Sequence, residues 1–117
     1  LDLSNCQITN LSGIEKFNSL INLNLSKNTI SEISSLSELV NLKNLNLGNN
    51  TISNIKTIGS LTNLTNLNLS SNKISDISSL SNLSKLQELD LSNNTNIVKL
   101  NESIFKDSYR QAVAKVI

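Results

Sequence analysis

The strongest constraint on this chain is a fixed period in its sequence. Asparagine recurs at every twenty-second position, at Asn28, Asn50, Asn72 and Asn94. Seven further columns of mostly Leu and Ile keep the same step, so the apolar residues are in register from one repeat to the next. A fixed period of this length predicts a repeat architecture, in which each turn is stabilised by stacking on its neighbours.

Each repeat contains a short strand followed by a tight return. In the run Leu-Asn-Leu at 45–47, alternate side chains point to opposite faces, so the two leucines enter the core and the asparagine faces outward. We expect the strands of successive repeats to pair in parallel, about 4.8 Å apart. The apolar spacing of three at Leu36, Leu39 and Leu42 favours a helical or 3₁₀ return.

These columns form the pattern L-x-x-L-x-L-x-x-N/C-x-L, and the chain resembles the leucine-rich repeat family in its 22-residue class, which includes SDS22-like proteins and bacterial internalins. The resemblance covers residues 1–100, about five repeats with the first truncated. It implies an α/β solenoid, a right-handed superhelix with a short parallel concave sheet and a 3₁₀ or helical convex side. The chain begins inside a repeat, which we interpret as a fragment of a longer protein.

The register breaks after Asn94, because Ile97 and Leu100 fit their columns only if one residue is inserted. The run at 108–111, Ser-Tyr-Arg-Gln, looks like a capping box that opens a helix. An apolar stripe at helical spacing follows, at Tyr109, Ala112, Val113 and Val116. We therefore predict a C-terminal capping segment over 101–117 with a capping helix, and its Tyr-Arg pair is similar to the cap of SDS22-like proteins.

The asparagine column predicts a structural ladder. An amide side chain offers both an acceptor and donors, so it can satisfy backbone groups in the turn after the strand, where an unpaired buried amide costs about 1–3 kcal/mol. Cys6 occupies this column in the first repeat as a small, weakly hydrogen-bonding residue. The residues with a predicted structural role are Cys6, Asn28, Asn50, Asn72 and Asn94.

The composition disfavours catalysis. The chain has no His and one Cys, so the commonest general base is missing and neither Ser nor Cys6 has an imidazole partner. A zinc site needs a cluster of Cys and His. A net charge of +1 with scattered Lys lacks the clustered cations of a nucleic-acid or membrane surface. We therefore predict no enzymatic activity, no cofactor or metal, and no nucleic-acid, membrane or small-molecule ligand.

The outward strand positions predict a polar concave face for one protein partner. Its predicted partner-binding residues are Asn22, Asn24, Lys27, Asn44, Asn46, Asn66, Asn68, Glu88 and Asp90. Glu88 and Asp90 lie two apart on one strand, where a solvated rim is a better interpretation than an acid/base pair. Alternatively, this Asn- and Ser-rich surface only keeps the solenoid soluble, and the contacts lie elsewhere.

These features predict a non-catalytic interaction scaffold within a larger intracellular protein or assembly. The resemblance to SDS22-like proteins implies a cytoplasmic setting, in phosphatase regulation or in the cytoskeleton of a cilium or centriole. The alternative is an extracellular, internalin-like surface adhesion domain, because the Asn-, Ser- and Thr-rich repeat at 61–83 looks much like an internalin repeat.

Overall fold

Four strands from consecutive repeats form one parallel sheet. The computed structural model describes residues 1–94, residue 97 and the backbone of Val113–Lys115. The strands are β1 (Asn22–Asn24), β2 (Asn44–Asn46), β3 (Asn66–Asn68) and β4 (Glu88–Asp90). Each strand pairs in register with the strand of the following repeat, so that Leu45 lies between Leu23 and Leu67. The predicted solenoid with a parallel sheet is confirmed.

The opposite side of each repeat is a short 3₁₀ helix. These helices are Ile14–Lys16, Ser34–Glu38, Lys56–Ser60 and Ser78–Asn82. In the second of them Leu36 is fully buried, and its carbonyl accepts the N–H of Leu39 at 2.9 Å. Serine-rich segments have low helix propensity, so the return stays short and the predicted 3₁₀ geometry is confirmed.

A continuous apolar core fills the space between the sheet and the 3₁₀ helices. Leu45 and Ile52, for example, are 2% and 0% exposed. Burying a side chain of this size stabilises the fold by about 1.5–3 kcal/mol. Phe17 shares a column with Leu39 but is 55% exposed, because it lies in the first turn and has a neighbouring repeat on one side only.

A left-handed residue lies in the turn after each strand. Positive φ angles in this column occur at Asn5 (53°), Lys27 (57°), Asn49 (55°), Ser71 (54°) and Asn93 (58°). Asparagine tolerates this conformation better than most residues with a Cβ atom. The residue that follows is the ladder asparagine, and Asn50 in that position is only 8% exposed.

Side-chain hydrogen bonds join consecutive repeats in the loop before each strand. Asn63 donates from Nδ2 to the carbonyl of Val40 at 2.8 Å and accepts the ammonium of Lys85 on Oδ1 at 2.8 Å. Asn41 likewise donates to the carbonyl of Asn18 at 3.0 Å. Because these groups are exposed, their hydrogen bonds connect the loops of consecutive repeats but do not contribute to the buried core.

The C-terminal end departs from the predicted capping helix at the residues that are described. Val113–Lys115 forms a further strand, β5, parallel to β4 with Val113 opposite Glu88. The helix prediction is wrong for these three residues, because the edge of β4 presents N–H and C=O groups that another strand can pair. Ile97 packs against the core. This agrees with the prediction that one inserted residue returns Ile97 to its apolar column. The remaining cap residues, and Leu100, lie outside the described residues.

Candidate functional site

The concave face of the sheet forms a groove of about 670 Å³ that crosses all four repeat strands. Its lining residues are Leu1, Asp2, Asn22, Leu23, Asn24, Asn44, Leu45, Asn46, Asn66, Leu67, Asn68, Glu88, Leu89 and Asp90. Every residue predicted to bind a partner lines it except Lys27. Lys27 lies in the left-handed turn after β1, where its N–H bonds the carbonyl of Gly48 at 2.9 Å. Asp2 was not among the predicted binding residues, although it stands one full repeat before Asn24 and so shares its column.

Asn24, Asn46 and Asn68 form the inner row of the groove, one residue on each of β1, β2 and β3. In each, Oδ1 accepts the backbone N–H two residues further on. The donors are Ser26 at 3.0 Å, Gly48 at 2.9 Å and Ser70 at 2.9 Å. Only the oxygen of an amide can accept, so this bond fixes its orientation. The Nδ2 groups make no hydrogen bond to the described part of the chain, so they are available to a ligand.

Asn22, Asn44, Asn66 and Glu88 form the outer row. Asn44 donates from Nδ2 to Oδ1 of Asn22, across β1 and β2. Asn66 donates from Nδ2 to Oε2 of Glu88 at 2.9 Å, across β3 and β4. The outer row is therefore partly paired within the protein, whereas the inner-row donors have no partner among the described residues.

Among the described residues, the charged side chains that line the groove are all acidic. They are the carboxylates of Asp2, Glu88 and Asp90, and the N-terminal ammonium of Leu1 is a positive group beside Asp2. Asp90 accepts the backbone N–H of Ser92 at 3.0 Å and its hydroxyl at 2.6 Å. Asp2 accepts the backbone N–H of Ser4 at 2.9 Å and its hydroxyl at 2.7 Å. The hydroxyl of Ser4, then its N–H, and to a smaller extent the N-terminal ammonium of Leu1, lower the pKa of Asp2. The donors from Ser4 and Ser92 are neutral and therefore add no positive charge to the groove.

The ladder asparagines lie in the turns that leave the strands, and each connects its own repeat to the preceding one. Asn50 donates from Nδ2 to the carbonyls of Leu25 at 3.0 Å, Leu47 at 3.0 Å and Gly48 at 3.2 Å. Its Oδ1 accepts the N–H of Ile30 at 3.0 Å. The same pattern of bonds recurs at Asn28, Asn72 and Asn94. The ladder therefore holds the strands at the spacing on which the groove depends.

Cys6 lies at the first position of the same ladder. Its N–H donates to Oδ1 of Asn28 at 3.0 Å, and its thiol donates to the carbonyl of Ser4 at 3.2 Å. The side chain is exposed and the thiol is free. The first repeat is therefore linked to the second by the backbone N–H of Cys6 and the side-chain amide of Asn28.

Other kinds of site have little basis in the residues that the structure describes. Among them, no group of three His, Cys, Asp or Glu could hold a metal ion. No helix in the described part of the chain is long and apolar enough to cross a membrane. A second groove lies on the convex side, between Lys56–Ser60 and Ser78–Asn82, and is lined mostly by Ser and Asn. The concave groove is thus the candidate site.

Comparisons with known proteins agree with this geometry. Residues 40–81 and 62–104 match the family described as Leucine Rich repeats (2 copies). An internalin, inlF, from Listeria monocytogenes is 39% identical with a TM-score of 0.86, over 93% of this chain and 31% of that one. Internalin C2 of the same organism is 30% identical with a TM-score of 0.76, over 100% and 49%. The present chain therefore spans less than half of either internalin chain.

A chain of the Drosophila melanogaster SNF/U2A' complex is also similar, at 25% identity and a TM-score of 0.70, over 100% of this chain and 72% of that one. No match is found among curated proteins. The family match extends over residues 40–104 and so covers more than half of the 117 residues. With its regular repeat register, its asparagine ladder and this match, the chain belongs to the leucine-rich repeat family.

Proposed function

We propose that the chain is a non-catalytic interaction scaffold that docks one protein partner in its concave groove. The observation that carries this proposal is the inner row, whose amide donors are oriented by the backbone and left without partners in the described part of the chain. Donors held on a rigid sheet bind with little loss of conformational entropy. The family match and the neighbour that forms part of a protein complex support the proposal.

The groove is tested by introducing bulk and charge into the inner row. Asn46→Arg combined with Asn68→Arg should abolish capture of the partner from the native source, because two guanidinium groups fill the groove and cover the free donors. Circular dichroism should show an unchanged fold. The matched control is Ser31→Arg with Ser53→Arg, two exposed positions one repeat apart that lie outside the concave groove. If the groove variant still captures the partner, the site lies on another face.

The cellular setting has two candidates. The first is a phosphatase-regulatory or cytoskeletal assembly in the cytoplasm, supported by the resemblance to SDS22-like proteins. The second is an internalin-like adhesion domain on the cell surface, supported by the 39% identity to inlF. Labelling intact native cells with a membrane-impermeant biotin reagent separates them. A labelled protein favours the surface setting, and an unlabelled protein that reacts only after lysis favours the cytoplasmic one.

A further inference from the structure

We infer that the groove takes a basic protein segment, with a Lys or Arg side chain at Glu88 and neutral oxygen acceptors over the inner row. This inference rests on the proposed function, since it names the chemistry of the partner for the same groove. It follows from the sign of the charges, the free amide donors and the lack of an accessible apolar anchor between the described strands.

The groove differs from the whole chain in the sign of its charge. The whole chain carries a net charge of +1, yet the charged side chains among the described residues that line the groove are all carboxylates. Glu88 is exposed, and its side chain accepts a hydrogen bond from the neutral amide of Asn66. Its register neighbours on the two adjoining strands, Asn66 and Val113, are both uncharged. A cation from a partner would therefore meet a carboxylate whose charge no neighbouring strand position offsets.

Asp90 differs from Glu88 in its neighbours. In the register of β4 and β5, Asp90 lies opposite Lys115, which brings a positively charged residue type to that position. Asp90 also accepts two hydrogen bonds from Ser92. Glu88 is thus the better anchor for a basic side chain. Complementary charge of this kind mainly sets the specificity and the association rate of a complex.

The amide donors of the inner row determine which groups the rest of the bound partner segment must present. Its three Nδ2 donors stand one to a strand, about 4.8 Å apart. They require oxygen acceptors, and the carboxylate of Glu88 disfavours acidic ones. Leu23, Leu45, Leu67 and Leu89 also line the groove but are only 2–3% exposed, so they offer no apolar anchor between the strands. Leu1, which is 50% exposed, lies beyond β1 at the end of the groove. Backbone carbonyls and Asn, Gln, Ser or Thr oxygens fit this surface.

The experiment is selection of a phage-displayed random dodecapeptide library on the immobilised protein, followed by titration of the most enriched peptide. We expect the selected peptides to be enriched in Lys and Arg over Asp and Glu relative to the starting library. Glu88→Gln should weaken the binding of that peptide about two- to fivefold, as expected for one exposed ion pair. Glu38→Gln, an exposed carboxylate outside the groove, makes the same charge change and should leave the affinity unchanged.

Three results overturn the inference: a selected pool without Lys or Arg enrichment, equal affinities for Glu88→Gln and Glu38→Gln, or no enriched peptide at all. Failure of the proposed function has a different signature, because the selected peptides would then still bind the variant carrying Asn46→Arg and Asn68→Arg. A neutral or acidic pool that this double variant no longer binds would keep the groove as the site and refute only the basic partner.

Discussion

Replacing Asn50 by Ala removes four hydrogen bonds from the centre of the ladder, but the groups left behind are not equally affected. Each of the three carbonyl acceptors keeps a second donor. These remaining pairs are Leu25 with Asn28, Leu47 with Asn72, and Gly48 with the backbone of Lys27. The N–H of Ile30, in a fully buried residue, loses the acceptor that Asn50 supplies.

The expected loss of stability follows from these different surroundings. A buried N–H left without an acceptor costs about 1–3 kcal/mol, whereas removing one of two donors from a carbonyl costs only about 0.5 kcal/mol. We therefore expect Asn50→Ala to lower the free energy of unfolding by about 3 kcal/mol. Since small domains are stable by about 5–15 kcal/mol, the variant should still fold but should unfold at a much lower urea concentration.

The assay is equilibrium urea unfolding followed by far-ultraviolet circular dichroism, because the chain has no Trp and one Tyr for fluorescence. Asn44→Ala is the matched control, since Asn44 is exposed and bonds only another exposed side chain. It should change the free energy of unfolding by less than about 0.5 kcal/mol. A loss below about 1 kcal/mol for Asn50→Ala, or equal losses for the two variants, would refute the reasoning.

Three further predictions concern stability. Leu67→Ala, at a core position only 3% exposed, should cost about 2–5 kcal/mol through the cavity it leaves, and an unchanged thermal midpoint would contradict this. Lys27→Asn should stabilise the left-handed turn by roughly 0.5 kcal/mol, and a lower melting temperature would argue against it. The backbone N–H of Ser34 lowers the pKa of Glu32, so the contribution of this carboxylate is complete above the ordinary pKa of Glu and is lost as the pH falls through the lowered value. Glu32→Gln should therefore flatten the acid-side loss of stability in urea midpoints measured against pH, and an unchanged pH dependence would exclude this role.

The fold was predictable because a solenoid gives every residue of one column the same surroundings. Alternation alone places Leu45 in the core and Asn46 on the concave face, and the constant repeat step transfers that assignment to the other repeats. The same step brings the two rows of the groove together, so the candidate site is predictable to the level of which residues share it.

Features that depend on side-chain rotamers or on distant pairing were not predictable. Lys27 shares the outward pattern of its column, but the left-handed turn takes it out of the groove. The bond from Asn44 to Asn22 depends on which rotamers two amides adopt. Val113 fits a helical stripe as well as a strand, and its pairing with Glu88 on the edge of β4 is a non-local effect that short-range patterns do not contain.

The whole interpretation requires that the strands of successive repeats are neighbours in one sheet, and a disulfide cross-link can measure this. In a Cys6→Ser background, Asn44→Cys with Asn66→Cys places thiols on register partners. Their Cα atoms are about 4.8 Å apart, within the range for a disulfide. Asn22→Cys with Asn66→Cys spans two strand spacings, about 10 Å, which is beyond that range. Mild oxidation should consume both thiols in the first variant and neither in the second, as counted by mass spectrometry. Equal cross-linking of the two variants, or none in the first, would contradict the register and the groove built on it.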